Sequence, residues 1–163
     1  MANKSLKSII LPVIVVVLAF AILYCVNLWT YPTIVQARMQ GEVGPAMDVM
    51  PNAKGFMELK LDNVPSTVET VYEETSGQGY VVKVSTKAGF TKEAIVFYIA
   101  IDKDNKVQKI NVTAYPETRE VGEGYVDTFI GSDSTLSTVE LVAGVTYSSS
   151  AIKNGVADAF KAL

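Results

Sequence analysis

The hydrophobic pattern of this chain changes period twice. From Ile9 to Leu28, 20 consecutive residues carry no charge, about the length that crosses a 30 Å hydrocarbon core at 1.5 Å per residue. The block predicts a transmembrane helix over 9–28, following a short N-terminus at 1–8 and preceding a helical connector at 29–55. A cleaved signal peptide is the competing reading, but its apolar core spans only about 7–15 residues and ends at a small-x-small site. Here Ala19 and Ala21 are followed by more apolar residues. Lys4 and Lys7 flank the start of the block, and Trp29 and Tyr31 flank its end, as expected for a positive inner side and an interfacial aromatic anchor. The expected protein is therefore single-pass in the cell (inner) membrane, with residues 1–8 cytoplasmic and everything after Tyr31 extracytoplasmic. Asn27 can bond a neighbouring helix or reach interfacial water.

After the connector, which Gly41, Gly44 and Pro45 break into short helical pieces, the period shortens to that of strands from Phe56. Val68–Glu74 and Gly79–Thr86 alternate and read as half-buried strands, Ala94–Asp102 is a continuous β-rich run, and Val107–Ala114 alternates imperfectly. Asp102-Lys103-Asp104-Asn105-Lys106 has the chemistry of a hairpin turn. Gly124–Ile130 then reads as a short helix, Val139–Val142 as a short strand and Ser149–Leu163 as a terminal helix, whose Ile152, Val156, Ala159, Phe160 and Leu163 recur at helical spacing. The fold class is α+β: one transmembrane helix, then an antiparallel-sheet domain over 56–163 closed by a C-terminal helix.

Composition narrows the chemistry. With 14 basic against 17 acidic residues and a net charge of −3, the chain lacks the basic footprint of a nucleic-acid binder. It has no histidine and one cysteine, Cys25 in the apolar block, which leaves no material for a His-based triad, a usual zinc site or a Cys-ligated iron–sulfur cluster. No metal is expected, and any redox chemistry needs an organic cofactor.

The segment that offers a site is Leu141-Val142-Ala143-Gly144-Val145-Thr146-Tyr147-Ser148-Ser149-Ser150. A glycine turn leading into hydroxyl residues at a helix start presents backbone N–H groups and a positive dipole end, a setting that favours phosphate. The same serines are also ordinary N-cap candidates, and the residues alone leave both readings open.

Ala143-Gly144-Val145-Thr146-Tyr147-Ser148 resembles the flavinylation motif, Ser/Thr-Gly-Ala-Thr/Ser-x-Ser/Thr, of the FMN-binding domain family, with Ala143 and Val145 departing from it. Further likenesses are Val49-Met50-Pro51-Asn52-Ala53-Lys54-Gly55-Phe56 to the family's Val-Leu-Pro-x-Ala-x-x-Phe, and Gly79-Tyr80-Val81-Val82-Lys83-Val84 to its first core strand. Glu117-Thr118-Arg119-Glu120-Val121-Gly122 is similar to its Glu-Thr-Pro-Gly-Leu-Gly stretch, without the proline and the first glycine. In length and single span the whole is similar to the G subunits of Rnf-type electron-transport complexes.

The resemblance implies FMN held covalently, its phosphate esterified to Ser148, with Ser149 the adjacent alternative. It implies that Gly144 and Thr146 shape the turn, that Tyr147, Ser149 and Ser150 surround the phosphate, the last two through their amides, and that Glu117 and Thr118 meet the flavin edge. It further implies a flavin transferase that uses FAD, partner membrane subunits, and an electron-transfer role in a ferredoxin:NAD oxidoreductase coupled to sodium or proton transport. A stand-alone flavinylated carrier and a non-redox binding module are the rival classes.

Overall fold

The computed structural model describes residues 15–24, 26, 43–89, 91–122 and 124–163. The chain divides into two compact units, 1–42 and 43–163. In the first, residues 15–24 and 26 are helical and their side chains are exposed. Among the described residues no helix is long and apolar enough to cross a membrane. The expected span at 9–28 lies partly outside the described residues, as do Lys4, Lys7, Asn27, Trp29 and Tyr31.

The second unit is a five-stranded antiparallel meander in chain order: β1 (Phe56–Leu59), β2 (Val68–Glu74), β3 (Gly79–Thr86), β4 (Ile95–Asp102) and β5 (Val107–Ala114). Both faces of its centre are covered. Val82, Val84, Phe97, Ile99 and Ile101 form one core with Ile152, Val156 and Ala159 of the C-terminal helix. The alternate residues Tyr72, Val81, Tyr98 and Ala100 bury Ala46 and Val49 of a helical stretch at 43–49, and Met50 just after it, on the opposite face. Period-two alternation thus sends apolar side chains to two cores, which is why Ala94–Asp102 reads as one unbroken apolar run rather than a half-buried strand. The compact unit that includes this second layer begins at Val43.

The irregular alternation of β5 has a physical cause. Val107 pairs with Ile101, but Lys109 pairs with Ala100, so the register shifts between them. One extra residue reverses the parity of the strand, and Val107 and Ile110 both reach the core under the helix. The β4–β5 turn closes where its chemistry placed it, with Asn105 at φ 55 and the Asp102 carboxylate accepting from the Asp104 and Lys106 N–H groups at 2.9 Å.

Three expected elements differ. The helix expected at Gly124–Ile130 is a single 3₁₀ turn, Val126–Phe129. Val139–Val142 is not a strand: its N–H groups serve a turn to the Leu136 carbonyl and the Ser149 hydroxyl instead of a ladder. The C-terminal helix spans Thr146–Lys161, one turn earlier than the serines indicate.

Glu74, 1 % exposed, ties the beginning of the unit to the β2–β3 turn. Its carboxylate accepts from the Ser76 hydroxyl and N–H at 2.7 Å, the Lys54 N–H at 2.9 Å and the Gln78 N–H at 3.1 Å. The Ser76 hydroxyl, opposed by desolvation and helped by the backbone donors, lowers its pKa from 4.5 to about 2. A depressed folded pKa gives stability that is fully present above the unfolded value and lost as pH falls through the folded one. Glu74→Gln should therefore melt below the wild type at pH 7, and the gap should shrink between pH 4.5 and 2. Melts followed by circular dichroism test this; an equal gap at both ends of that window contradicts it.

Candidate functional site

The site forms where the C-terminal helix begins. Gly144 takes φ 84, a left-handed turn that glycine adopts without steric cost, and open space lies where a Cβ would be. Val145 is the N-cap and makes no side-chain capping bond. The serines therefore do not cap this helix; they lie inside its first turns, and the N–H groups of a helix's first turn have no intrahelical acceptor.

The three serines have different surroundings. Ser149 is fully buried. Its hydroxyl lies 3.0 Å from the Val145 carbonyl and 3.2 Å from that of Thr146, both acceptors, and it accepts from the Val142 N–H at 3.2 Å. Its own N–H donates to the Val145 carbonyl at 3.0 Å, and its carbonyl accepts from the Tyr125 hydroxyl at 3.0 Å. Both the hydroxyl and the amide of Ser149 thus have partners within the protein. Ser150 follows within the helix, half-buried, where its N–H belongs to the helical ladder. Ser148, by contrast, is 4 % exposed and borders a cavity of about 400 Å³ lined by Glu117, Thr118, Arg119, Gly144, Val145 and Ser148. Among the described residues no hydrogen bond engages its hydroxyl, and no buried side-chain oxygen or nitrogen lacks a partner. The Ser148 oxygen therefore opens to the cavity.

The opposite wall is the loop that leaves β5. The Tyr115 hydroxyl donates to the Arg119 carbonyl at 2.7 Å. Glu117, 8 % exposed, accepts from the Thr91 hydroxyl at 3.1 Å. These bonds pin the loop at both ends of Glu117–Arg119.

Of the residues singled out by sequence, Ser148, Gly144, Glu117 and Thr118 meet at this cavity. Thr146 and Tyr147, both exposed, and Ser149 and Ser150 are not among the lining residues. Arg119, Val145 and the supporting Thr91 were not singled out. Val145 and Arg119 each adjoin a residue that was, but Thr91 is brought in only by the fold.

Residues 89–161 match the FMN-binding domain family. The matched stretch contains β4, β5 and every residue lining the cavity. The match supports FMN as the cofactor and suggests flavin-binding electron transfer. No curated protein matches the chain.

The residues present fit such a group. The cavity volume, about 400 Å³, is within the range of small-molecule sites. One wall has a helix start suited to phosphate. The other carries a carboxylate and a hydroxyl that can meet the polar edge of a ring.

Proposed function

We propose that this chain carries FMN as a phosphoester on Ser148 and passes electrons as the G-type subunit of an Rnf-type membrane complex. The observation that carries the reading is that, of three consecutive serines, Ser148 alone lines the cavity with its hydroxyl unengaged. When bound, FMN supplies the reversible uptake of electrons that no side chain of this protein offers.

The chain's residues do the rest. Ser148 Oγ bonds to the FMN-side phosphorus of FAD under a separate transferase, displacing AMP and giving up its hydroxyl proton. The helix start beside it stabilises the remaining phosphodiester charge through N–H groups and dipole. Gly144, with no Cβ at a positive φ, gives the phosphate close approach to the backbone. Glu117 and Thr118 present an acceptor and a hydroxyl to the ring edge.

Covalent attachment suits a domain held outside the cytoplasm, where a dissociated cofactor is lost. The apolar block at 9–28 serves as the anchor, with Lys4 and Lys7 on the cytoplasmic side, and the exposed apolar side chains at 15–24 support it. Partner subunits in the membrane provide donor and acceptor, and the complex as a whole couples ferredoxin and NAD chemistry to sodium or proton transport.

The test is purification of the full chain from membranes in mild detergent, followed by denaturing electrophoresis under ultraviolet light. The expected result is a fluorescent band at 17.6 kDa plus flavin mass, copurifying with multi-span subunits that carry other redox centres. A dark band rejects the covalent flavin and favours a binding module. A fluorescent band that purifies alone favours a stand-alone carrier.

A further inference from the structure

The cavity beside Ser148 has a cation that the proposed function leaves unused. Arg119 lines it from a backbone fixed by the Tyr115 hydroxyl, while the residue itself remains exposed. Among the described residues Arg119 makes no ion pair. Glu117, the cavity's carboxylate, instead accepts from Thr91 at 3.1 Å. The two charges do not pair by contact, so the lining carries a separate guanidinium as well as a carboxylate. Arg119 is also one of the positions, with Glu120, at which this loop departs from the family stretch it resembles.

We propose that Arg119 sets the reduction potential of the bound flavin by favouring its reduced form; this rests on the function proposed above. Reduction adds two electrons from a reduced redox carrier and one proton from water, and leaves the ring with one more negative charge than before. A nearby cation lowers the free energy of that state relative to the oxidised one. Guanidinium stays protonated throughout the accessible pH range, so the bias does not titrate away. Because the residue is exposed, its effect is partly screened by salt.

The test uses the full flavin-loaded chain, titrated with dithionite against a reference dye while flavin absorbance is followed. Arg119→Gln should keep the covalent flavin and shift the equilibrium about tenfold toward the oxidised form, about 30 mV lower for a two-electron couple. Arg119→Glu should lie lower still, Arg119→Lys close to the wild type, and added salt should move the wild type toward Arg119→Gln. An unchanged midpoint in a flavin-loaded Arg119→Gln chain overturns the proposal and leaves the covalent-flavin reading standing. Loss of flavin attachment in that variant also overturns it, because Arg119 then acts in maturation. A midpoint in Arg119→Lys as low as in Arg119→Gln assigns the effect to shape and overturns it as well. Absence of covalent flavin from the wild type removes both readings together.

Discussion

Ser148→Ala should give a chain that folds like the wild type and carries no covalent flavin. The expected loss is complete because no neighbouring oxygen can substitute: the Ser149 hydroxyl is fully buried and engaged with Val145, Thr146 and Val142. The cost to stability should be small, within about 0.5 kcal/mol, since the Ser148 side chain makes no hydrogen bond and alanine is the better helix former. Ser148→Thr keeps an oxygen at the same place and should retain flavin. Ser149→Ala should do the opposite of Ser148→Ala, keeping the flavin while costing about 1–3 kcal/mol, because the Val142 N–H loses its acceptor. In-gel fluorescence and urea unfolding of these variants give the answer. Fluorescence that survives in Ser148→Ala and vanishes in Ser149→Ala would reverse the assignment.

That contrast between two adjacent serines was not legible in the sequence. Three serines after a glycine turn look alike, and their N-cap preference puts the helix start at Ser149. The helix instead begins at Thr146 behind an N-cap valine. This earlier start turns Ser148 toward the cavity and buries Ser149. The strands were legible to the residue in β2, β3 and β5, because β-branched alternation there ends abruptly at turn residues. The second covering of the sheet was not. Ala46, Val49 and Met50 belong to the connector read as short helical pieces, and nothing local shows that it folds back over Val81 and Ala100. The unbroken apolar run of β4 was the available signal, since a strand exposed on one face does not need it. The cavity itself joins two segments distant in sequence, Glu117–Arg119 and Gly144–Ser148; local chemistry marked the second, and only the family likeness marked the first.

The close fit of the C-terminal helix to the sheet leads to the other large expected effect. Gly155 lies in the helix interior, where glycine costs about 1 kcal/mol relative to alanine. Its place on the buried stripe with Ile152, Val156 and Ala159 gives the reason for keeping it. A Cβ there would come within 2.9 Å of both the Phe97 ring and a Val84 methyl, and both side chains are fully buried. Gly155→Ala sets an overpacking cost of about 1–3 kcal/mol against the propensity gain of about 1, so its net effect is a modest loss. Gly155→Leu has no such offset. Its branched side chain cannot fit between helix and strand, so the helix must lift from β3 or the core must open. The expected loss is several kcal/mol, a large part of the roughly 5–15 that holds a domain of this size. Because the same helix carries Ser148 in its first turn, Gly155→Leu should also lose covalent flavin although every lining residue of the cavity is intact. Urea unfolding and in-gel fluorescence measured on one preparation check both consequences. A Gly155→Leu chain with wild-type stability and full flavin loading would mean that the helix does not depend on this contact for its position on the sheet.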